Sequence, residues 1–170
     1  MAKPQAIVEL QSQHFDSTSI GSPQQLVRVL DGLEVSGLPL NWVVVDAENV
    51  SFDRDTEESS IERWRQNWRG TFADIRAAMV QSANAGLSQF IWLSLLAWPH
   101  HETPDLPAEY GCESDAFTDI GTALLEVRAF DTTYIEVYSA SAALLQPLAS
   151  AFNARVESEH EYRQRKAMKP

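Results

Sequence analysis

Cysteine occurs once in the chain, at Cys112, so neither an internal disulfide nor a cysteine-rich zinc site can form. Positive charge is scarce: 13 Lys and Arg stand against 24 Asp and Glu in 170 residues, a formal net charge of −11. Direct nucleic-acid binding needs cations that displace counterions from phosphates, and it is not expected here. Long apolar runs are also missing. The longest, Phe90 to Trp98, is broken by Ser94 and falls well short of the roughly 20 residues that span a bilayer. The stretch from Met1 to Leu10 contains Glu9 and lacks the apolar core of an export signal, so the expected location is cytoplasmic, away from membranes. No glycine-rich phosphate loop and no Gly-x-Ser-x-Gly elbow occurs.

What is present is an ordinary globular balance, with 44% apolar and 22% charged residues, in a length that suits one domain. Residues 6–10 read as a strand. Ser22-Pro23 reads as an N-cap with proline in the first helical position, followed by Leu26, Val27, Leu30 and Leu33 at helical spacing. The β-branched run Asn41 to Asp46 is a second strand. Ile61, Trp64, Trp68, Phe72, Ile75 and Met79 recur every three or four residues, which predicts one long helix over 58–85 with a bend at Gly70. Phe90 to Trp98 is apolar at odd and even positions alike and predicts a strand buried on both faces. After an irregular loop over 99–115, residues 122–130 and 134–138 form a hairpin around Asp131-Thr-Thr133. Ser139 or Ser141 caps a last helix that contains Pro147. The expected fold is α+β, a single mixed or mainly antiparallel sheet of about 5 strands with helices mainly on one face. Residues 1–160 form one domain, and residues 161–170 a frayed basic tail.

Charge along this chain is segregated. No Lys or Arg occurs between Arg76 and Arg128, a span holding Glu102, Asp105, Glu109, Glu113, Asp115, Asp119 and Glu126. A second acidic group comprises Asp46, Glu48, Asp53, Asp55, Glu57, Glu58 and Glu62, with Arg54 as its one cation. Unpaired carboxylates are rarely buried, so these side chains are expected at the surface, where they attract and steer a cationic partner. The predicted partner-binding residues are Glu102, Asp105, Glu109, Tyr110, Glu113, Asp115, Asp53 and Asp55, with Tyr110 or Phe117 as an aromatic anchor.

Other constellations carry less chemistry. His100-His101-Glu102 with Asp105 has metal-ligand residue types but not the spacing of a helical zinc motif. Arg63-Trp-Arg-Gln-Asn-Trp-Arg69 mixes basic and aromatic residues, but Trp64 and Trp68 belong to an apolar helical stripe and read as core. Cys112 lies among acids, which raise a thiol's pKa, and has no base beside it. Asp46 and Glu48 end a hydrophobic strand, a position where Mg²⁺-dependent nucleases hold their metal.

The run Val43-Val-Val-Asp-Ala-Glu-Asn-Val50 resembles the opening motif of NYN-type PIN-like ribonucleases. That resemblance implies a metal-dependent ribonuclease with Asp46 and Glu48 as ligands. The family's later acidic motif has no counterpart in Ser139-Ala-Ser-Ala-Ala143. The succession Phe90 to Pro99, Phe117, Leu124-Leu-Glu-Val127 and Asp131 to Tyr138, followed by a leucine-rich helix, resembles small acidic α+β bacterial proteins of the toxin-immunity type. This resemblance implies a non-enzymatic cytosolic protein, without a cofactor, that binds and blocks a basic toxin domain. An acidic DNA mimic that occupies a host or phage enzyme would share the same surface.

Overall fold

The computed structural model describes residues 3–15, 23–34, 39–51, 68–85, 87–100, 102, 110, 115–130 and 134–168. The strands are β1 (Ala6–Gln11), β2 (Leu40–Ser51), β3 (Arg69–Thr71), β4 (Leu87–Pro99), β5 (Leu125–Phe130), β6 (Tyr134–Ser139) and β7 (Glu157–Ser158). The helices are α1 (Pro23–Glu34), α2 (Phe72–Asn84), α3 (Ala142–Ala151) and α4 (Glu159–Ala167), and a 3-10 turn spans Ser12–His14. The strands form one sheet in the order β3-β2-β4-β5-β6-β1-β7, and every pairing is antiparallel. The fold is α+β, as expected, but with seven strands among the described residues instead of about five. The additional ones, β3 and β7, are three- and two-residue edge strands of composition Arg-Gly-Thr and Glu-Ser. Neither carries the apolar alternation by which a strand is recognised in sequence.

The expected single helix over 58–85 is interrupted at residues 69–71. Residues 58–67 lie outside the described residues, and Arg69–Thr71 pair with Asn41–Val43 as β3. Helix α2 begins at Phe72 because Thr71 and Asp74 form a capping box. The Asp74 carboxylate accepts from the Thr71 N–H at 2.8 Å, and Thr71 Oγ1 accepts from the Asp74 N–H at 3.3 Å. Gly70 is a tight spot in β3 and not a helix bend: a Cβ there would lie 2.8 Å from the Asp74 Cβ.

Residues alternate between the two sheet faces. Val8, Leu10, Trp42, Val44, Leu93, Leu95, Val127, Ile135 and Val137 face the main core, where Leu26 and Leu30 of α1, Ile75 and Met79 of α2, and Leu145 and Leu148 of α3 cover them. Three of the four helices pack there. Helix α3 tolerates Pro147 in its interior and ends in a Schellman turn. In that turn the Ala154 N–H donates to the Ala149 carbonyl at 2.8 Å and the Asn153 N–H to Ser150 at 3.3 Å. Asn153 adopts the left-handed φ of 49° that the turn requires.

The opposite face is covered by the segment entering β5 and by α4. Ile120 and Ala123 pack on Val43, Val45, Leu96 and Trp98, while Phe117 and Tyr162 pack on Ile7 and Tyr138. Residues 161–167, expected as part of a frayed tail, are the body of α4. Ser158 and Glu161 form its capping box, and Arg165 and Lys166 bond to Glu9 and Glu157 across the sheet edge. No helix among the described residues is long and apolar enough to cross a membrane.

Helices α1 and α3 approach closely at Gly32, where a Cβ would lie 2.8 Å from Leu148 Cδ1. Gly32→Val should therefore lower unfolding free energy by about 1–3 kcal/mol through overpacking, measured by urea denaturation.

Candidate functional site

The covered second face of the sheet carries polar side chains in register. Asp46 lies opposite Ser94, Ser94 opposite Arg128, Arg128 opposite Glu136, and Glu136 opposite Glu9. This single row crosses five strands. A β-bulge between Val44 and Asp46 sets its first member, since it turns Ala47 toward the main core and leaves Asp46 and Glu48 on the second face. Glu126 and Tyr138 stand opposite each other in the adjoining row.

These groups engage one another, with Glu126 Oε2 left as a buried acceptor that takes no hydrogen bond. Glu126 is fully buried and takes a hydrogen bond from Arg128 Nε at 2.5 Å. Burial pushes the Glu126 carboxyl up to about 7; the Arg128 charge opposes the shift and Glu136 reinforces it. Burial works against the Arg128 charge, but Glu126 outweighs it and holds that guanidinium above its ordinary value. The Arg128 guanidinium carbon also sits 5.1 Å from the Tyr138 ring centre and 6.0 Å from that of Tyr110. Glu136 accepts from Tyr138 Oη at 2.5 Å and from Tyr162 Oη at 2.6 Å. Burial, and then the Glu136 charge, raises the pKa of both hydroxyls, so both remain protonated donors. At the sheet edge, Arg165 bonds Glu157 through Nε and Nη2 at 3.0 and 2.7 Å and Glu9 through Nη1 and Nη2 at 3.3 Å. Lys166 adds a 2.8 Å contact to Glu9. Burial raises the Glu9 pKa, but bonds from Lys166, Arg165 and Gln11 outweigh it and hold the group below the usual range.

Sequence reasoning missed this network, although its signal was present. Charged residues occupy one parity in Leu125-Glu-Val-Arg-Ala129, in Tyr134-Ile-Glu-Val-Tyr138 and in Ala6-Ile-Val-Glu-Leu10, with apolar residues on the other. Three strands with that pattern place their charges on one sheet face. Glu126, grouped with the surface acids of its span, is thus an interior residue paired two positions along its own strand.

The predicted binding residues separate into several environments. Glu102 is exposed just past β4, and its N–H bonds the Pro99 carbonyl at 2.9 Å. Asp115 is exposed at the start of the covering segment. Tyr110 is half-buried, with Oη 2.8 Å from Ser94 Oγ, so it faces the sheet. Phe117 is 1% exposed, adopts a left-handed φ of 64° and stacks edge-on to Tyr138 and Tyr162. It is a core residue and not a partner's anchor. Asp53, Asp55, Asp105, Glu109 and Glu113 lie outside the described residues, as do His101 and Cys112. His100 is exposed and meets Asn41 Oδ1 at 3.0 Å. Asp46 and Glu48 share a face, but among the described residues no set of three His, Cys, Asp or Glu side chains is placed to hold a metal ion.

Ion pairing divides the acids by location. Asp31 of α1, Glu9, Glu126, Glu157, and Glu159 and Glu161 of α4 all pair with a cation. Among the described residues, Glu48 of β2 and Glu102, Asp115 and Asp119 of the β4–β5 connection make no ion pair, while Asp74 and Glu136, also without one, are held by Thr71 and by Tyr138 and Tyr162. No protein-family model, curated protein or solved structure matches the chain.

The Glu126 carboxyl sets a pH dependence. Its folded value of about 7 exceeds its ordinary value of 4.5, so the unfolded chain releases the proton first as pH rises. Stability from this group is complete below pH 4.5 and is lost as pH rises through 7. Urea unfolding at pH 5 and pH 8 should show Glu126→Gln removing up to about 3 kcal/mol of that decline. Tyr162→Phe takes one of the two donors from Glu136 and should cost about 1.5–3 kcal/mol in the same measurement.

Proposed function

We propose that the protein is a non-enzymatic cytosolic binding protein for a basic protein partner. In its most concrete form it is an immunity protein that occupies and neutralises a cationic, nuclease-like bacterial toxin. The observation that carries this reading is the division of its acids. Glu9, Glu126, Glu157, Glu159 and Glu161 are paired with cations within the fold, whereas among the described residues Glu48, Glu102, Asp115 and Asp119 have no cation at ion-pair distance. The adjoining segments of sequence add Asp53, Asp55, Asp105, Glu109 and Glu113 with Arg54 as their one cation. Carboxylates that no internal cation satisfies give a negative field that accelerates encounter with a positive surface. The mutual hydrogen bonds of Glu126 with Arg128 and of Glu136 with Tyr138 and Tyr162 support the same reading, because they give these groups a structural role inside the fold.

The experiment is association kinetics against a cationic nuclease domain encoded beside this gene. Combined Glu48→Lys, Glu102→Lys and Asp115→Lys should slow association by about 10-fold or more at low ionic strength and flatten its salt dependence. An unchanged rate overturns the steering role. The alternative of a metal-dependent PIN-like ribonuclease rests on Asp46 and Glu48 lying two residues apart on one face. It requires Mg²⁺- or Mn²⁺-dependent RNA cleavage that disappears in Asp46→Ala.

A further inference from the structure

Among the described residues, the outer edge of the sheet is only partly occupied. β7 pairs with β1 at Ala6 and Ile7, while β1 continues to Gln11 in its pairing with β6. Beside the uncovered part of β1 lies a cavity of about 410 Å³, walled by the 3-10 turn, by the chain leaving α3 and by α4. That volume suits a small organic ligand or a few residues of peptide.

The polar groups of the cavity fall into two sets. Its floor is formed by Glu9, Glu157 and Arg165. There the two carboxylates meet the two cations Arg165 and Lys166, and Gln11 Nε2 donates a further bond to Glu9, so the floor is neutral and its acceptors are engaged. The rim is different. Arg155 is 78% exposed, and its nearest carboxylate, Glu161, is 3.8 Å away and itself half-exposed, a loose pair in water. His14 accepts the Gln11 backbone N–H at Nδ1, 2.9 Å away, so the neutral ring carries its proton on Nε2 and presents it as a donor. Asn153 is held in place by the Schellman turn through its backbone, which leaves its side-chain amide uncommitted.

Arg155, His14 and Asn153 thus line one cavity of a chain whose net charge is −11. We propose that this cavity binds a carboxylate group, held by the Arg155 guanidinium and the His14 Nε2–H, with the Asn153 amide bonding the rest of the ligand. The carboxylate can be that of a small free acid or the C-terminus of a peptide. A peptide would also lie along the part of β1 that β7 leaves open. The site is on the β1–β7 edge, independent of the acids invoked for partner binding, so its failure leaves that proposal standing.

The test is a titration of the isotopically labelled full chain, followed by NMR, with acetate, with N-acetyl-trialanine and with the same peptide capped as its C-terminal amide. Saturable shifts at the His14 ring and the Asn153 amide are expected with both carboxylates and should be at least about tenfold weaker with the amide. Equal affinity per molecule for acetate and the peptide acid assigns a free acid, and tighter peptide binding assigns a chain terminus. Arg155→Gln, at an exposed position that the fold does not need, should weaken binding by about tenfold without changing the circular dichroism spectrum. The absence of saturable shifts with either carboxylate, equal binding of the amide, or unchanged binding by Arg155→Gln overturns the proposal.

Discussion

A sheet face that carries Glu126, Arg128, Glu136 and Glu9 side by side can be removed from water only if every charge meets a partner. The sheet supplies some of these partners itself: Arg128 to Glu126, Tyr138 to Glu136 and Gln11 to Glu9. The rest come from outside it: Tyr162 to Glu136, and Arg165 and Lys166 to Glu9 and Glu157, all on α4. The position of the C-terminal helix follows from this requirement. Its own composition has little to drive docking, since Tyr162 is its one buried residue. Buried ion pairs add little net stability compared with apolar residues of the same size, but leaving one half unpaired costs about 3–5 kcal/mol. The network therefore acts mainly through selection: any arrangement of α4 that misplaces Tyr162 or Arg165 strands a buried carboxylate.

The segment between β4 and β5 closes the other half of that face on the same principle, with apolar contacts and single polar ties. Trp98 Nε1 donates to Thr122 Oγ1 at 3.0 Å, the Leu124 N–H donates to the Ala97 carbonyl at 2.8 Å, and Phe117 fills the space between Tyr138 and Tyr162. Residues 115–124 are thereby fixed to the sheet. The stretch that follows the expected irregular loop over 99–115, with its Pro99, Pro104, Pro107 and Gly111, is thus well packed. Proline and glycine report local backbone preference, whereas Ile120 and Phe117 respond to a surface formed by residues distant in sequence.

Elements whose cause is local were legible in the sequence. Pro23 starts α1, β-branched runs give β2 and β6, and the apolar run from Phe90 to Trp98, interrupted at Ser94 alone, gives β4 with both faces buried. Elements whose cause lies far along the chain were not. β7 exists because Glu157 and Ser158 meet Ile7 and Ala6, and Arg165 is ordered by Glu9, 156 positions away. Read alone, Arg163-Gln-Arg-Lys166 is a charged end with no reason to fold. The same limit applied to the candidate site. Counting carboxylates along the chain groups Glu126 with Asp115 and Asp119, but strand parity sends the first inward, whereas Asp115 is exposed and Asp119 partly so.

That separation makes the negative charge of the chain meaningful as a surface property. An evenly acidic protein needs no explanation beyond solubility. In this fold the cations have positions set by internal demand: Arg128, Arg165 and Lys166 are drawn to buried or half-buried carboxylates, and Arg163 and Lys3 to Glu159. Among the described residues, Glu48, Glu102, Asp115 and Asp119 have no cation at ion-pair distance. The internal network thus engages Arg128, Arg165 and Lys166, and the field proposed above rests on acids that none of these three reaches.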